Sequence, residues 1–232
     1  MTFDWLTKIS EQFLRGGYLL DGETPKGRIR DNCDTAEKRL GIPGFSDKMY
    51  DYMGRGFYSW SSPVWSNYGR ADRGLPTSCY GSFCGDSIPD ILYTMSEIGI
   101  MSKVGGGTSV NVSPLRPRGS KITNNGETSG AVHFTRLFEQ ITDVISQGSQ
   151  RRGRVAPYLD AEHEDIMEFL DIATDGNMIQ HVNTGVTVSD EFMESVKRGK
   201  TDTDKRNRRV WAKLLKTRSE IGFPYIMFTG NA

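Results

Sequence analysis

The chain has 232 residues, 36% hydrophobic and 25% charged, with 29 basic and 29 acidic side chains that cancel to a formal charge of zero. That composition supports a packed core and excludes global disorder, and the charge balance gives no reason to expect nucleic acid or an anionic membrane as a partner. No apolar run approaches the ~20 residues that cross a bilayer, the acid-containing N-terminus MTFDWLTKISEQF does not read as a signal peptide, and 3 cysteines make no internal disulfide framework.

Cytoplasmic residence, with reduced thiols, is therefore expected. Residues 1–60 read as helical. Phe3, Leu6, Ile9, Phe13 and Leu14 recur at helical spacing until Gly16-Gly17 ends the run. Leu19–Asn32 reads as a loop, continuing through a charged stretch around Cys33. Phe45–Trp60 is a second helical stretch, ending near Gly54–Gly56. Ser61–Pro76, rich in Pro, Gly and Ser, reads as a connector.

Beyond it the pattern changes. Strands are expected at Thr77–Cys84, Ser109–Val112, Arg154–Leu159, Val182–Val188 and Pro224–Phe228. Helices are expected at Pro89–Met101, Val132–Ser146, Glu162–Ala173, from Ser189 as N-cap to Gly199, and over Arg208–Ile221 before Gly222. Strands alternating with helices predict the α/β class, a parallel sheet with helical crossovers. Functional groups in such folds gather beyond the carboxyl ends of strands. An open five-stranded sheet is either complete in itself or half of something closed.

The loops carry the chemistry. CGDS (Cys84–Ser87) enters a helix, where backbone amides meet anions; Asp86 suits a ribose hydroxyl, and equally an N-cap. KVGGGTS (Lys103–Ser109) allows close backbone approach but is no Walker loop, because no Gly-Lys-Ser/Thr follows. Leu115–Gly130 and Ser146–Pro157 are long polar loops, and the second carries Arg151, Arg152 and Arg154, suited to phosphate or carboxylate. Thr201–Lys213 reads as a solvated charge run. AEHEDIMEF lacks the second histidine of a zinc helix and reads as a surface helix. His133, His163 and His181 are scattered and suggest no metal site. Cys84 reads as a small buried hydrophobe, and Cys79 alone reads as structural more readily than reactive.

In order, LPTSCYGSFCGDS, KVGGGTSVNVSPLRPRGS, NNGETSGAVHF, ISQGSQRRGRVAPYL, EHEDIMEFL, NTGVTVSDEFMESV and GFPYIMF resemble the large, catalytic subunit of ribonucleotide reductase. The resemblance runs from about Phe13 to Ala232 and is closest from Ser61 onward. It implies a ten-stranded α/β barrel built from two parallel five-stranded halves behind a helical domain. Residues 1–60 would be the helical domain and residues 61–232 the first half-barrel.

The resemblance also implies chemistry. The family reduces the ribose 2′-hydroxyl: a cysteine thiyl radical takes the 3′-hydrogen, and two further cysteines supply reducing equivalents and become a disulfide. Cys79 matches one of that pair. Ser62, Ser78, Gly107 and Arg151 match substrate contacts. Asp86, Ser87 and Ile88 match the start of the specificity-effector site, and Arg116 its phosphate-binding arginine. Loop Arg118–Gly130 would cover an ATP or dNTP effector, and loop Gln147–Gly153 would relay its identity to the substrate. No cofactor is expected on this chain itself. The implied partners are a radical-generating small subunit of dimetal type, a thioredoxin- or glutaredoxin-type reductant, and a second large subunit paired through the helices after the first two strands.

Departures matter equally. Thr123 stands where many relatives have an arginine. The N-terminal ATP-binding cone, the Asn-x-Cys-x-Glu finger with the radical cysteine, the second reducing cysteine and the C-terminal cysteine pair are absent from these residues. The expectation is the N-terminal part of a split large subunit, of class I type and completed by a second polypeptide, with a phage gene as a hypothetical origin. The alternatives are a dNTP-binding regulatory module without catalysis, a fragment of a cobalamin-dependent reductase, a thiol-redox protein acting alone, and a truncated remnant. Cys79 and Cys84, five residues apart in one strand, point to opposite faces, which disfavours an intrachain disulfide.

Overall fold

The computed structural model describes residues 3–71, 73–145 and 153–231. The chain forms two compact units, Met1–Ser78 with Val104–Gly106, and Cys79–Lys103 with Gly107–Ala232.

The first unit holds helices α1 (Lys8–Arg15), α2 (Pro25–Leu40), α3 (Phe45–Gly54) and α4 (Ser62–Asn67). Leu14, Leu19, Ile29, Cys33, Met53 and Trp65 form its core. Helix α2 corrects the expected loop at Leu19–Asn32. Thr24 Oγ1 accepts from Gly27 N at 3.1 Å, and Pro25 begins the helix with the φ it already prefers. Apolar periodicity missed it because its buried face alternates Ile29 and Cys33 with Arg28 and Asn32. The Arg28 guanidinium donates to the carbonyls of Trp65 at 2.8 Å and Tyr68 at 2.7 Å, and Asn32 Nδ2 to that of Val64 at 3.2 Å. These groups satisfy the carbonyl end of α4, itself hidden in the expected connector. Cys33 is thus a helical core residue, and burial pushes its thiol up to about 11.

The second unit runs β1 (Cys79–Phe83), α5 (Ile88–Lys103), β2 (Gly107–Asn111), β3 (Lys121–Ile122), β4 (Gly126–Glu127), α6 (Ala131–Val144), β5 (Val155–Asp160), α7 (Ile166–Phe169), β6 (Gly185–Val188), α8 (Asp190–Arg198), α9 (Asp202–Ile221) and β7 (Tyr225–Phe228). Strands β1-β2-β5-β6-β7 make a five-stranded sheet in that order, and every neighbouring pair is parallel. This is the expected α/β architecture.

Alternation splits the sheet into two unlike faces. Val110, Val155, Leu159, Val186 and Val188 pack with Ile98, Phe138, Phe192 and Leu214 of the helices. The opposite face presents Cys79, Gly81 and Phe83 of β1, Ser109 and Asn111 of β2, Tyr158 and Asp160 of β5, and Tyr225 and Met227 of β7, all partly or fully exposed. Parallel sheets are ordinarily covered on both faces; among the described residues, helices cover one face of this sheet.

Several expected bounds move, among them the start of β6, at Gly185 and not Val182. Only Ile166–Phe169 of the expected helix Glu162–Ala173 is helical, and α9 starts at Asp202, ahead of Arg208, because Thr201 and Asp204 form a capping box. The loop Leu115–Gly130 contains the β3–β4 hairpin, turned by Asn124 at φ 59° and Gly126 at φ 82°. Ser189 and Gly199 cap α8 as expected. Among the described residues no helix is long and apolar enough to cross a membrane.

Candidate functional site

The residues singled out from sequence in the second unit fall at the two ends of the sheet. Cys79 and Gly107 are the first residues of β1 and β2, and their Cα atoms are register partners. Cys79 is exposed. No side chain stands beside it on β2 at Gly107. The neighbouring backbone is fixed, since Thr108 donates to the Arg154 carbonyl from its amide at 3.2 Å and its Oγ1 at 3.1 Å. These groups lie at the amino ends of their strands, opposite to the usual expectation for α/β folds.

Cys84, after β1, is fully buried on the other face, and burial raises its thiol. Ser62 begins α4 and Ser78 closes the first unit, joined to Cys79 by a peptide bond. Arg151 and most of loop Gln147–Gly153 lie outside the described residues. Within the first unit a cavity of about 480 Å³ is walled by Trp5, Phe13, Tyr18, Trp60 and Trp65, with Ser62 contributing.

The carboxyl ends of β1 and β2 carry the second cluster. Asp86, Ser87, Ile88 and Arg116 all line one cavity of about 260 Å³. Ile91 and Phe134 add apolar wall from α5 and α6, and Ile122, Thr123 and Thr128 line it from the hairpin region. Arg116 Nε donates to Asp86 Oδ2 at 2.6 Å, its backbone amide to Oδ1 at 3.1 Å, and Nη1 to the Lys121 carbonyl at 3.1 Å. Ser87 Oγ accepts from Asp90 N at 3.2 Å and donates to Asp90 Oδ2 at 2.6 Å. Ser87, not Asp86, therefore secures the start of α5, and the Asp86 carboxylate is left for Arg116. A guanidinium, a carboxylate and an apolar wall suit a phosphorylated ligand with a sugar and a flat base.

Sequence reasoning missed Asp165 and His163, which it placed on a surface helix. Asp165 is only 7% exposed and accepts from the backbone amides of Arg118 and Ala131, the two ends of the hairpin loop. An acid set among Ile166, Phe169 and Leu170 was the available signal. Among the described residues no cluster of His, Cys, Asp or Glu is arranged to hold a metal ion.

Comparison with known proteins gives a consistent result. The family described as "Ribonucleotide reductase, barrel domain" matches residues 77–204. The ribonucleoside-diphosphate reductase large subunit of Invertebrate iridescent virus 6 is 30% identical over 238 residues, covering 93% of this chain and 24% of that one. The vitamin B12-dependent ribonucleoside-diphosphate reductase of Thermoplasma acidophilum is 36% identical over 183 residues, 78% of this chain and 24% of the relative. The solved Actinobacillus ureae class Id ribonucleotide reductase alpha subunit superposes with TM-score 0.88 at 49% identity, over 99% of this chain and 42% of that one. The chain thus spans roughly a quarter to two-fifths of the length of these relatives. With its parallel sheet matched along most of its length by the barrel family, the chain belongs to the ribonucleotide reductase large-subunit family.

Proposed function

We propose that this chain supplies the first half of a ten-stranded α/β barrel that reduces ribonucleotides, with residues 1–60 as its helical domain and residues 61–232 as the half-barrel. The observation that carries the reading is the sheet with one uncovered face, whose amino end sets exposed Cys79 beside Gly107. The remaining strands of the barrel would cover that face.

A thiyl radical elsewhere in the assembled enzyme takes the 3′-hydrogen of the ribose and later returns it. The 2′-hydroxyl leaves as water. Cys79 and a second thiol supply two electrons and two protons, one proton going to the departing hydroxyl and the other to the new C2′–H bond, and become a disulfide, which an external dithiol of thioredoxin or glutaredoxin type reduces. An exposed thiol at a strand end suits both the reaction and its re-reduction. Ser62, Ser78, Gly107 and Arg151 would hold the substrate. The radical comes from a small subunit with a dimetal centre, in the cytoplasm.

The cavity at Asp86, Ser87, Ile88 and Arg116 is the proposed effector site for ATP or a dNTP. The outer faces of α5 and α6 beside it expose Leu92, Tyr93, Ile100 and Val144. Such a patch fits pairing of two large subunits. A second reading, a nucleotide-binding module without catalysis, is favoured by the completeness of that cavity within one unit.

Native co-purification followed by mass spectrometry tests the reading. Peptides containing Asn-x-Cys-x-Glu and a downstream cysteine in the purified enzyme are the expected result. Reconstituted turnover that survives Cys79→Ser would overturn the role given to Cys79.

A further inference from the structure

The loop that walls the nucleotide cavity closes on a single carboxylate. Asp165 sits at the N-cap of α7, where an aspartate ordinarily accepts from its own helix, yet it makes no such bond. Its oxygens turn outward instead. Oδ1 and Oδ2 accept from Arg118 N at 3.0 and 3.2 Å, and Oδ2 accepts from Ala131 N at 2.9 Å. Between those two amides lie β3, β4 and the cavity residues Ile122, Thr123 and Thr128.

Helix α7 and its lead-in add two more ties. Asp165 N donates to His163 Nδ1 at 3.0 Å, which leaves His163 Nε2 to donate to the Leu115 carbonyl at 2.8 Å, one residue ahead of Arg116. Glu168 takes the Arg118 guanidinium at 3.0 and 2.6 Å. Gly130 is required for this closure. It sits at φ 85°, and a Cβ there would meet Asp165 Oδ2 at 2.5 Å and Arg118 N at 2.7 Å.

We infer that Asp165, oriented by His163, is a positioning residue for the nucleotide site: it pins both ends of the loop and so pre-forms the cavity wall. The inference rests on the effector reading of that cavity. A carboxylate is acceptor-only and matches two converging N–H donors. An asparagine of the same size turns its amide NH₂ against one of them. With an end released, the ligand must order the loop on binding, and affinity falls.

The test uses the intact chain and a panel of dATP, dGTP, dTTP and ATP, with affinity measured by calorimetry. Asp165→Asn should weaken every nucleotide that the wild type binds by at least about tenfold, with the order of preference kept. Amide exchange read in parallel should show Arg118 and Ala131 slow in the wild type and fast in the variant, with β5 amides still protected in both. A uniformly loosened fold would release β5 as well. Gly130→Ala, which displaces the carboxylate without removing it, should reproduce the loss and serves where Asp165→Asn does not fold. Unchanged affinity in a folded variant, or fast exchange at Arg118 and Ala131 in the wild type, overturns the inference alone. A wild type that binds none of the four nucleotides removes the effector reading, and the inference with it.

Discussion

Arg116 grips Asp86 at two points across thirty residues of sequence, side chain to Oδ2 at 2.6 Å and backbone amide to Oδ1 at 3.1 Å. Both partners are about one-third exposed, at 39% and 33%, so the ion pair itself adds little to stability. Its effect is to hold a guanidinium at the cavity mouth in a fixed orientation. Under the proposed effector reading, a phosphate reaching the site would find a donor already ordered.

Arg116→Met should weaken triphosphate binding by about one to two orders of magnitude, the range expected for a charge-assisted hydrogen bond. Thr123→Arg should act the other way, since Thr123 lines the same cavity and would gain a second cation. Calorimetry at two salt concentrations checks both: the gain from Thr123→Arg should shrink as salt rises.

Thiol reactivity should follow burial. Cys79 is exposed, whereas Cys33 and Cys84 are fully buried, with thiols raised by that burial. Iodoacetamide at pH 8 should label Cys79 first and the other two only after denaturant is added, as peptide mass spectrometry would read. Early labelling of Cys84 would contradict the two-faced sheet.

Acid should dissolve one anchor of the second unit. Asp204 is held below the usual carboxylate range by the Arg198 guanidinium, then by the amides of Thr201 and Lys200. A depressed carboxylate adds stability that is complete above its unfolded pKa of about 4 and disappears as pH falls through its folded value. Asp204→Asn should therefore melt below the wild type at pH 7, and the gap should narrow below about pH 4. A gap constant from pH 7 to pH 3 would show that the charge is not the cause.

Arg28→Met should cost about 2–4 kcal/mol by urea denaturation, because it strips buried donors from the carbonyl end of α4. Loss of the near-surface pair Arg118–Glu168, both about half-exposed, should cost under about 1 kcal/mol.

The five strands of the sheet were legible because each alternates with a helical stretch and is set off by Gly- or Pro-bearing turns, and α8 because Ser189 and Gly199 are explicit caps. Helix α2 was not, since polar Arg28 and Asn32 occupy its buried face and their carbonyl partners lie 32 to 40 residues away. The β3–β4 hairpin pairs two residues with two, too few for alternation to register. At the site, Asp86, Ser87, Ile88 and Arg116 were named through family resemblance, and they do meet in one cavity. Asp165 escaped because its partners are main-chain amides 47 and 34 residues distant, and no side-chain pattern encodes such a contact.

The sheet order β1-β2-β5-β6-β7 follows the order of synthesis. Each strand of this sheet leaving the ribosome finds its neighbour already laid down, and joins the edge that formed last. The chain can therefore assemble vectorially, without waiting for distant sequence, and sequence separation between pairing strands stays short for a parallel sheet. During growth the advancing edge is one exposed surface and the face presenting Cys79, Phe83, Tyr225 and Met227 is another, and a chaperone would meet both.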